Sequence, residues 1–402
     1  MGIPPESPVL CNHLQAPNLT PRARFVLPCW ANLAIHTRAH AGETETRRSS
    51  STGQRANRPS PAPCASLNSM QFVPSRPLPA ARGASRGISN VAKYLIVNAD
   101  DLGLARSTNF AIRRAFQDGI VTSASLMANM GAFQHAVDQV VGQYPGLGIG
   151  IHLCLTSGRP VLPPGEVPLL VDRRGEFRHG FLGLRRLLGS PRREEAMRQI
   201  AAELRAQAAK FDACGLHVDH VDGHQHIQMI PEIFTIAAAL ATVRQAAIRI
   251  SDEQFRRGHR SLRRWLAWLA NGGVIKKLIL SRLARAVPAA ETPLLRADHY
   301  YGVLETGRMT VEILWEILDS LPEGISEINC HPGLAGLPDP AIVCSRPDRL
   351  FLASLNRSRE LAALVDPSFQ GDLLGAGITL ARFQDLLPRR SAPWTEPLRK
   401  AA

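Results

Sequence analysis

From Tyr94 onward, short apolar runs alternate with stretches of helical period, and this alternation constrains the fold more than any other property of the chain. Strand candidates fall at 94–98, 121–127, 147–153, 217–222, 247–250 and 325–330, with weaker ones near 294–299 and 377–380. Helical candidates lie between them at 107–118, 132–143, 192–213, 231–243, 261–285, 310–320 and 354–365. The first opens at Ser107 and closes before Gly119. Strand and helix in turn demand crossover connections and therefore a parallel sheet. Seven or eight repeats of that unit favour a closed, TIM-like (β/α) barrel over an open sheet.

The strands end in chemistry. Tyr94–Gly103 runs from buried apolar residues straight into the carboxylate pair Asp100-Asp101, and strand ends are where such folds place their reactive groups. An Asp after a strand can also cap the next helix, so the pair carries weight only in company. Gly150-Ile151-His152-Leu153, the cluster His220-Val221-Asp222-Gly223-His224-Gln225-His226 and Asn329-Cys330-His331-Pro332-Gly333 supply that company. If these strands are parallel neighbours, their C-terminal ends share one rim. One Asp with two His then makes a first shell for a divalent ion with positions left open. Because Asp100 and Asp101 are consecutive, an extended backbone turns them opposite ways, so one can hold metal while the other faces water as a general base. In the 220–226 segment His220, Asp222, His224 and His226 recur at period two and would share one face of an extended chain. They cannot all be ligands, and Asp222 suits the carboxylate that orients a ligating histidine. His331, with an ordinary pKa near neutrality, suits proton donation to a leaving amine. Cys330 reads as a small buried strand residue.

Charge and length bound the remaining options. The 402 residues, 45% of them hydrophobic, can bury a full core, and no apolar run reaches membrane-spanning length. Seven scattered cysteines without a CxxC pair argue against a disulfide framework and suit a reducing, cytoplasmic compartment. The net charge of +13 invites a nucleic-acid reading, but residues 1–90 contribute +7 of it and Phe255 to Ala290 another +9. What is left is slightly acidic, so nucleic acid is not an expected partner of the catalytic body.

Three regions follow. Residues 1–90 are rich in Pro, Arg and Ser, lack sustained period and are expected to be disordered. Their composition also suits an organellar transit peptide, or a start placed upstream of a true one at Met70. Residues 91–390 form the barrel, and 391–402 a disordered tail. Within the barrel, about 255–290 interleaves basic residues with Trp265, Leu266, Trp268, Leu269, Val274, Ile275, Leu278, Ile279 and Leu283. This suits either a helix pair resting on an anionic membrane or an ordinary helix packed on the barrel with a basic solvent face.

The strings Leu95–Leu104, Gly119–Leu126, Gly148–Leu153 with Gly158–Val161, His220–His226 and Asn329–Gly333 together resemble the YdjC-type carbohydrate deacetylases, from about Tyr94 to Leu387. The resemblance implies a distorted (β/α) barrel of the glycoside hydrolase/deacetylase type and a divalent ion, Mg2+ or Zn2+, serving hydrolysis of N-acetyl groups on amino sugars. It makes Asp101, His152 and His224 the metal ligands, Asp100 the catalytic base and His331 the acid, leaving Asp222, His220 and His226 as supporting or substrate-facing residues. Leu102 stands where ordinary members have Phe. Gly158 to Pro168 and the basic segment resemble the hopanoid-biosynthesis branch, which implies an N-acetylglucosaminyl hopanoid lipid as substrate; the amphipathic pattern of 255–290 itself allows peripheral contact with the inner membrane face.

Two rivals stay open. Ligands of this kind also serve phosphoester and sugar-isomerase chemistry, and the same fold can bind a glycolipid without turning it over. The expected partner is an amino-sugar or glycolipid substrate, and a homodimer is compatible with the sequence.

Overall fold

The computed structural model describes residues 92–255, 262–270, 272–287, 294–335 and 342–390. The expected disordered extension at 1–90, with Met70, and the tail at 391–402 lie outside the described residues, as do parts of the basic segment. Eight strands form one sheet in which every pairing is parallel: β1 (Lys93–Leu102), β2 (Ser123–Leu126), β3 (Gly148–Leu153), β4 (His220–Gly223), β5 (Ala247–Ile248), β6 (His299–Tyr301), β7 (Gly324–Cys330) and β8 (Ile378–Leu380). Their order is β5-β4-β3-β2-β1-β7-β6. β8 pairs with Lys93–Leu95 at the start of β1, below the point where β2 takes over from Asn98.

The sheet curls into a distorted TIM-like barrel. Its ring is weakest between β5 and β6, where Ile248 N–H donates to Leu295 O (2.8 Å) and an isolated parallel bridge joins Glu253 to Tyr300. Helices wrap the outside, with Arg193–Ala213 against Pro231–Val243 and Arg106–Gln117 against Leu355–Leu364. One large apolar cluster fills the space between helices and strands and takes Val97, Ala124, Val221 and Ile328 from the sheet, whereas the alternating Asn98, Ser125, Asp222 and Glu327 are buried polar residues.

Three sequence expectations need revision. Residues 261–285 form two helices, Leu262–Ala270 and Gly273–Arg285, because Gly272 adopts φ 73° between them. The helix expected at 132–143 is a short α-turn, Phe133–Ala136, that widens into a π-helical stretch, Val137–Val141. The extended 220–226 segment ends at Gly223. Residues His224–Met229 coil tightly, with Gln225 and His226 at φ 55° and 59°. The four period-two residues therefore do not share a strand face. No described helix is long and apolar enough to cross a membrane.

Candidate active site

The strand ends open into a pocket lined by Asp100, Asp101, His152, His224, His226 and His331 among others. The two aspartates reach it together because β1 is irregular where they sit. Its register against β2 shifts between Ala99 and Leu102, and Asp101 takes φ 72°, a left-handed conformation that costs a non-glycine residue about 1 kcal/mol or more. A regular strand would have turned the pair apart. The irregularity puts both carboxylates at one rim, where they are nearly inaccessible to solvent.

Asp101 Oδ1 lies 3.1 Å from His224 Nδ1 and 3.7 Å from His152 Nε2. It accepts no well-aligned hydrogen bond among the described residues although it is buried. One ligand atom from each of Asp101, His152 and His224 falls within 4.8 Å of the others, a donor set able to hold a metal ion. The surroundings prepare each donor. His152 Nδ1–H donates to Asp222 Oδ1 (2.7 Å), which leaves Nε2 facing Asp101. Arg357, fully buried, donates to Asp101 Oδ2 (3.2 Å) and to Pro332 O (3.3 Å), so the other oxygen is the one offered to the histidines. Asp348 Oδ1 stands 3.2 Å from His224 Nε2. Burial would lower His224's pKa, but Asp348 and Asp101 outweigh it and hold it well above the usual value, so this position attracts positive charge.

Asp100 is engaged differently. Its two oxygens accept from Arg249 Nη1 and Nη2, both at 2.9 Å, and Oδ1 also accepts from Asn98 Nδ2 (2.8 Å). Burial pushes its pKa up, but Arg249, aided by His152 and His331, more than reverses this and keeps it ionised. The same guanidinium donates to Glu327 Oε1 and pairs with Asp222 Oδ2, each at 2.6 Å. Asp100, His152 and Asp222 also cluster closely enough to suggest a second cation site, but Arg249 already supplies the positive charge there.

His331 Nε2 lies 3.9 Å from Asp100 Oδ2. Burial lowers its pKa to about 4, against the pull of Asp100 and Asp101, so the expectation of an imidazole titrating near neutrality is not met. His226 lines the pocket with its Nδ1 2.9 Å from Ser251 Oγ. Asp222 and His220 do not line it. Asp222 sits beneath, also accepting from Ser125 Oγ (2.7 Å). His220 lies inside the barrel, donating to Asp219 Oδ1 (2.7 Å) and stacked on Phe383 at 4.4 Å. Glycine at 150 admits its ring, since a Cβ there would fall 2.1 Å from His220 Nε2.

Sequence reasoning missed Arg249, Arg357 and Asp348. Arg249 follows the two-residue β5 as the single charge between Ile248 and Ile250, a signal that was available. Asp348 is hidden by a local explanation, because Ser345 caps the helix Arg346–Leu352 by accepting from Asp348 N–H. Arg357 stands in a polar stretch with nothing to mark it.

The sequence profile of the YdjC-like protein family matches residues 94–374. A carbohydrate deacetylase from Geobacillus stearothermophilus is 31% identical over 301 residues, spanning 73% of this chain and 98% of that one. A chitooligosaccharide deacetylase from Serratia marcescens is 36% identical over 201 residues, spanning 48% and 76%. A solved structure from Enterococcus faecalis V583, named for cellobiose-phosphate cleavage, superposes with a TM-score of 0.54 at 25% identity, covering 73% of this chain and 99% of that one.

Proposed function

The chain belongs to the YdjC-like family, and from that membership and its pocket we propose a metal-dependent carbohydrate deacetylase that hydrolyses the acetamide of an N-acetylated amino sugar. The observation that carries this reading is the convergence of Asp101, His152 and His224 donor atoms within 4.8 Å beside an ionised Asp100. Asp101, His152 and His224 would hold the ion. Two imidazoles and one carboxylate suit Zn2+ better than Mg2+, which prefers oxygen ligands. A divalent ion there supplies a Lewis acid for the acetyl carbonyl and lowers the pKa of a water molecule.

The chain's own residues then move one proton. Asp100, held in place by Arg249, accepts it from the attacking water as the C–O bond forms. His331 is neutral at pH 7 and so can receive the proton from Asp100 and deliver it to the amine nitrogen as the C–N bond breaks. Acetate and the free amine leave. This revises the role expected of His331 from a standing acid to a relay.

The finer substrate reading is an amino sugar carried on a lipid, the N-acetylglucosaminyl hopanoid being the specific case. Val303, Leu304, Leu350 and Phe351 give the pocket an apolar side that a free polar oligosaccharide does not require. The test is acetate release by purified protein, loaded with each ion in turn, from chitooligosaccharides and from a glucosaminyl-lipid acetamide. Acetate from either supports the reading. Phosphate release or isomerisation without acetate overturns it.

A further inference from the structure

Among the described residues eight large hydrophobic side chains are exposed, and all except Val243 lie in two stretches that border the pocket. Phe255, Leu266, Leu269, Ile275 and Leu278 belong to the basic segment, whose Gly272, Gly273 and Lys276 line the pocket. Leu350 lines it directly, and Leu355 falls between the lining residues Ser354 and Asn356.

The helix Gly273–Arg285 departs at four positions from the order expected of a helix finished against water. Lys276 and Lys277 are buried, while Ile275 is 62% and Leu278 54% exposed. Both lysines have internal work: Lys276 Nζ donates to Thr306 Oγ1 (3.2 Å), and Lys277 Nζ sits 4.4 Å above the Phe255 ring. The preceding helix is fastened to the barrel by Trp268, buried and donating through Nε1 to Glu305 Oε1 (3.1 Å), with Leu266 and Leu269 outward. The two helices thus pack Trp268, Val274, Leu280 and Leu283 inward and hold Leu266, Leu269, Ile275 and Leu278 outward on anchored backbones. Gly273–Arg285 packs Val274, Leu280 and Leu283 inward and exposes Arg282 and Arg285, so a packed helix with a basic solvent face describes part of it and leaves the exposed Ile275 and Leu278 over.

Charge selects the occupant. Phe255 to Ala290 holds nine Lys or Arg and no acid; Lys276 and Lys277 are turned inward, whereas Arg282 and Arg285 are exposed. A two-fold dimer through this surface would set one basic segment against its own copy. An anionic bilayer offers both an apolar interior for the leucines and negative headgroups for the arginines. We propose that the exposed Leu266, Leu269, Ile275 and Leu278, on the segment whose Gly272, Gly273 and Lys276 line the pocket, dock on an anionic lipid surface, with the pocket mouth at the headgroup level. The proposal rests on the deacetylase reading only for what the pocket would receive there, an amino sugar whose aglycone stays in the membrane.

Flotation of the full chain with phosphatidylcholine vesicles, with and without phosphatidylglycerol, tests it. The wild type should float with the anionic vesicles roughly tenfold better than with neutral ones, and lose this in high salt. The double variant Leu266→Glu, Leu278→Glu should stay unbound with an unchanged circular dichroism spectrum and unchanged acetate release from soluble chitooligosaccharides. Failure of the wild type to float, flotation of the double variant equal to it, or a wild-type dimer that the double variant converts to monomer would overturn the proposal. Flotation without acetate release from any substrate would instead count against the deacetylase reading and leave docking intact.

Discussion

Arg249 Nη1 and Nη2 each sit 2.9 Å from an oxygen of Asp100, so the proposed base is gripped on both oxygens by a guanidinium that is itself fully buried. Lysine can keep the charge but not the fork. Arg249→Lys should lower kcat about a hundredfold with little change in KM, since positioning of the base is lost while the binding surface stays. Arg249→Met leaves Asp100, Asp222 and Glu327 without their cation. It should cost about 3–5 kcal/mol in urea denaturation. Equal kcat in Arg249→Lys would remove the positioning role.

Asp348 supports His224 from the side away from Asp101, at 3.2 Å from Nε2. Losing an outer carboxylate of this kind typically weakens metal binding about 10- to 100-fold. Titration calorimetry of zinc into Asp348→Asn should show that drop, and His224→Ala should show no binding at the site. Wild-type affinity in Asp348→Asn would mean that the contact orients nothing.

His331 stands close to Asp100 but is not among the proposed ligands. His331→Gln should lower kcat about 10²- to 10⁴-fold, the usual worth of a proton-transfer group, while zinc affinity remains within about twofold. A parallel loss of zinc affinity would show that His331 serves the metal and not the proton.

Glu360 gives a pH signature independent of activity. Burial raises its pKa to about 8, against the opposing effects of Arg357 and the Met309 and His331 backbone N–H groups. An unfolded chain releases that proton near the ordinary value of 4.5. Between those two pH values the folded state binds more protons, so stability falls as pH rises through this window, by at most about 1.4 kcal/mol per unit. Glu360→Gln removes the penalty. Its stability relative to wild type should grow from about pH 5 to pH 8 in urea denaturation, and curves that stay parallel would contradict the assignment.

Much of the barrel is legible because β1 and β3 carry apolar runs that end in polar residues, while β4 and β7 are marked by the polar groups they hold at and inside the rim. Short helices such as Phe181–Leu188 and Arg346–Leu352 are not, since two turns carry too little period to separate from loop. In the pocket, Asp100, Asp101, His152, His224 and His331 were all singled out by strand-end position, and all five line the cavity. The way they meet was not readable. Extended geometry predicts opposed aspartates and a one-faced histidine row, whereas positive φ at Asp101, Gln225 and His226 redirects both segments. Arg357 and Asp348 escaped because a charge that serves a partner more than a hundred residues away leaves no local pattern, whereas Arg249 left one, a lone charge between two isoleucines.

The account stands on Asp101, His152 and His224 binding one ion beside a base that does not bind it. The direct measurement is zinc stoichiometry together with acetate release from an N-acetylated amino-sugar substrate, for the wild type and Asp100→Asn. The account predicts one ion per chain in both proteins and acetate from the wild type alone. Acetate from Asp100→Asn at the wild-type rate, or full turnover by protein stripped of metal, would contradict it.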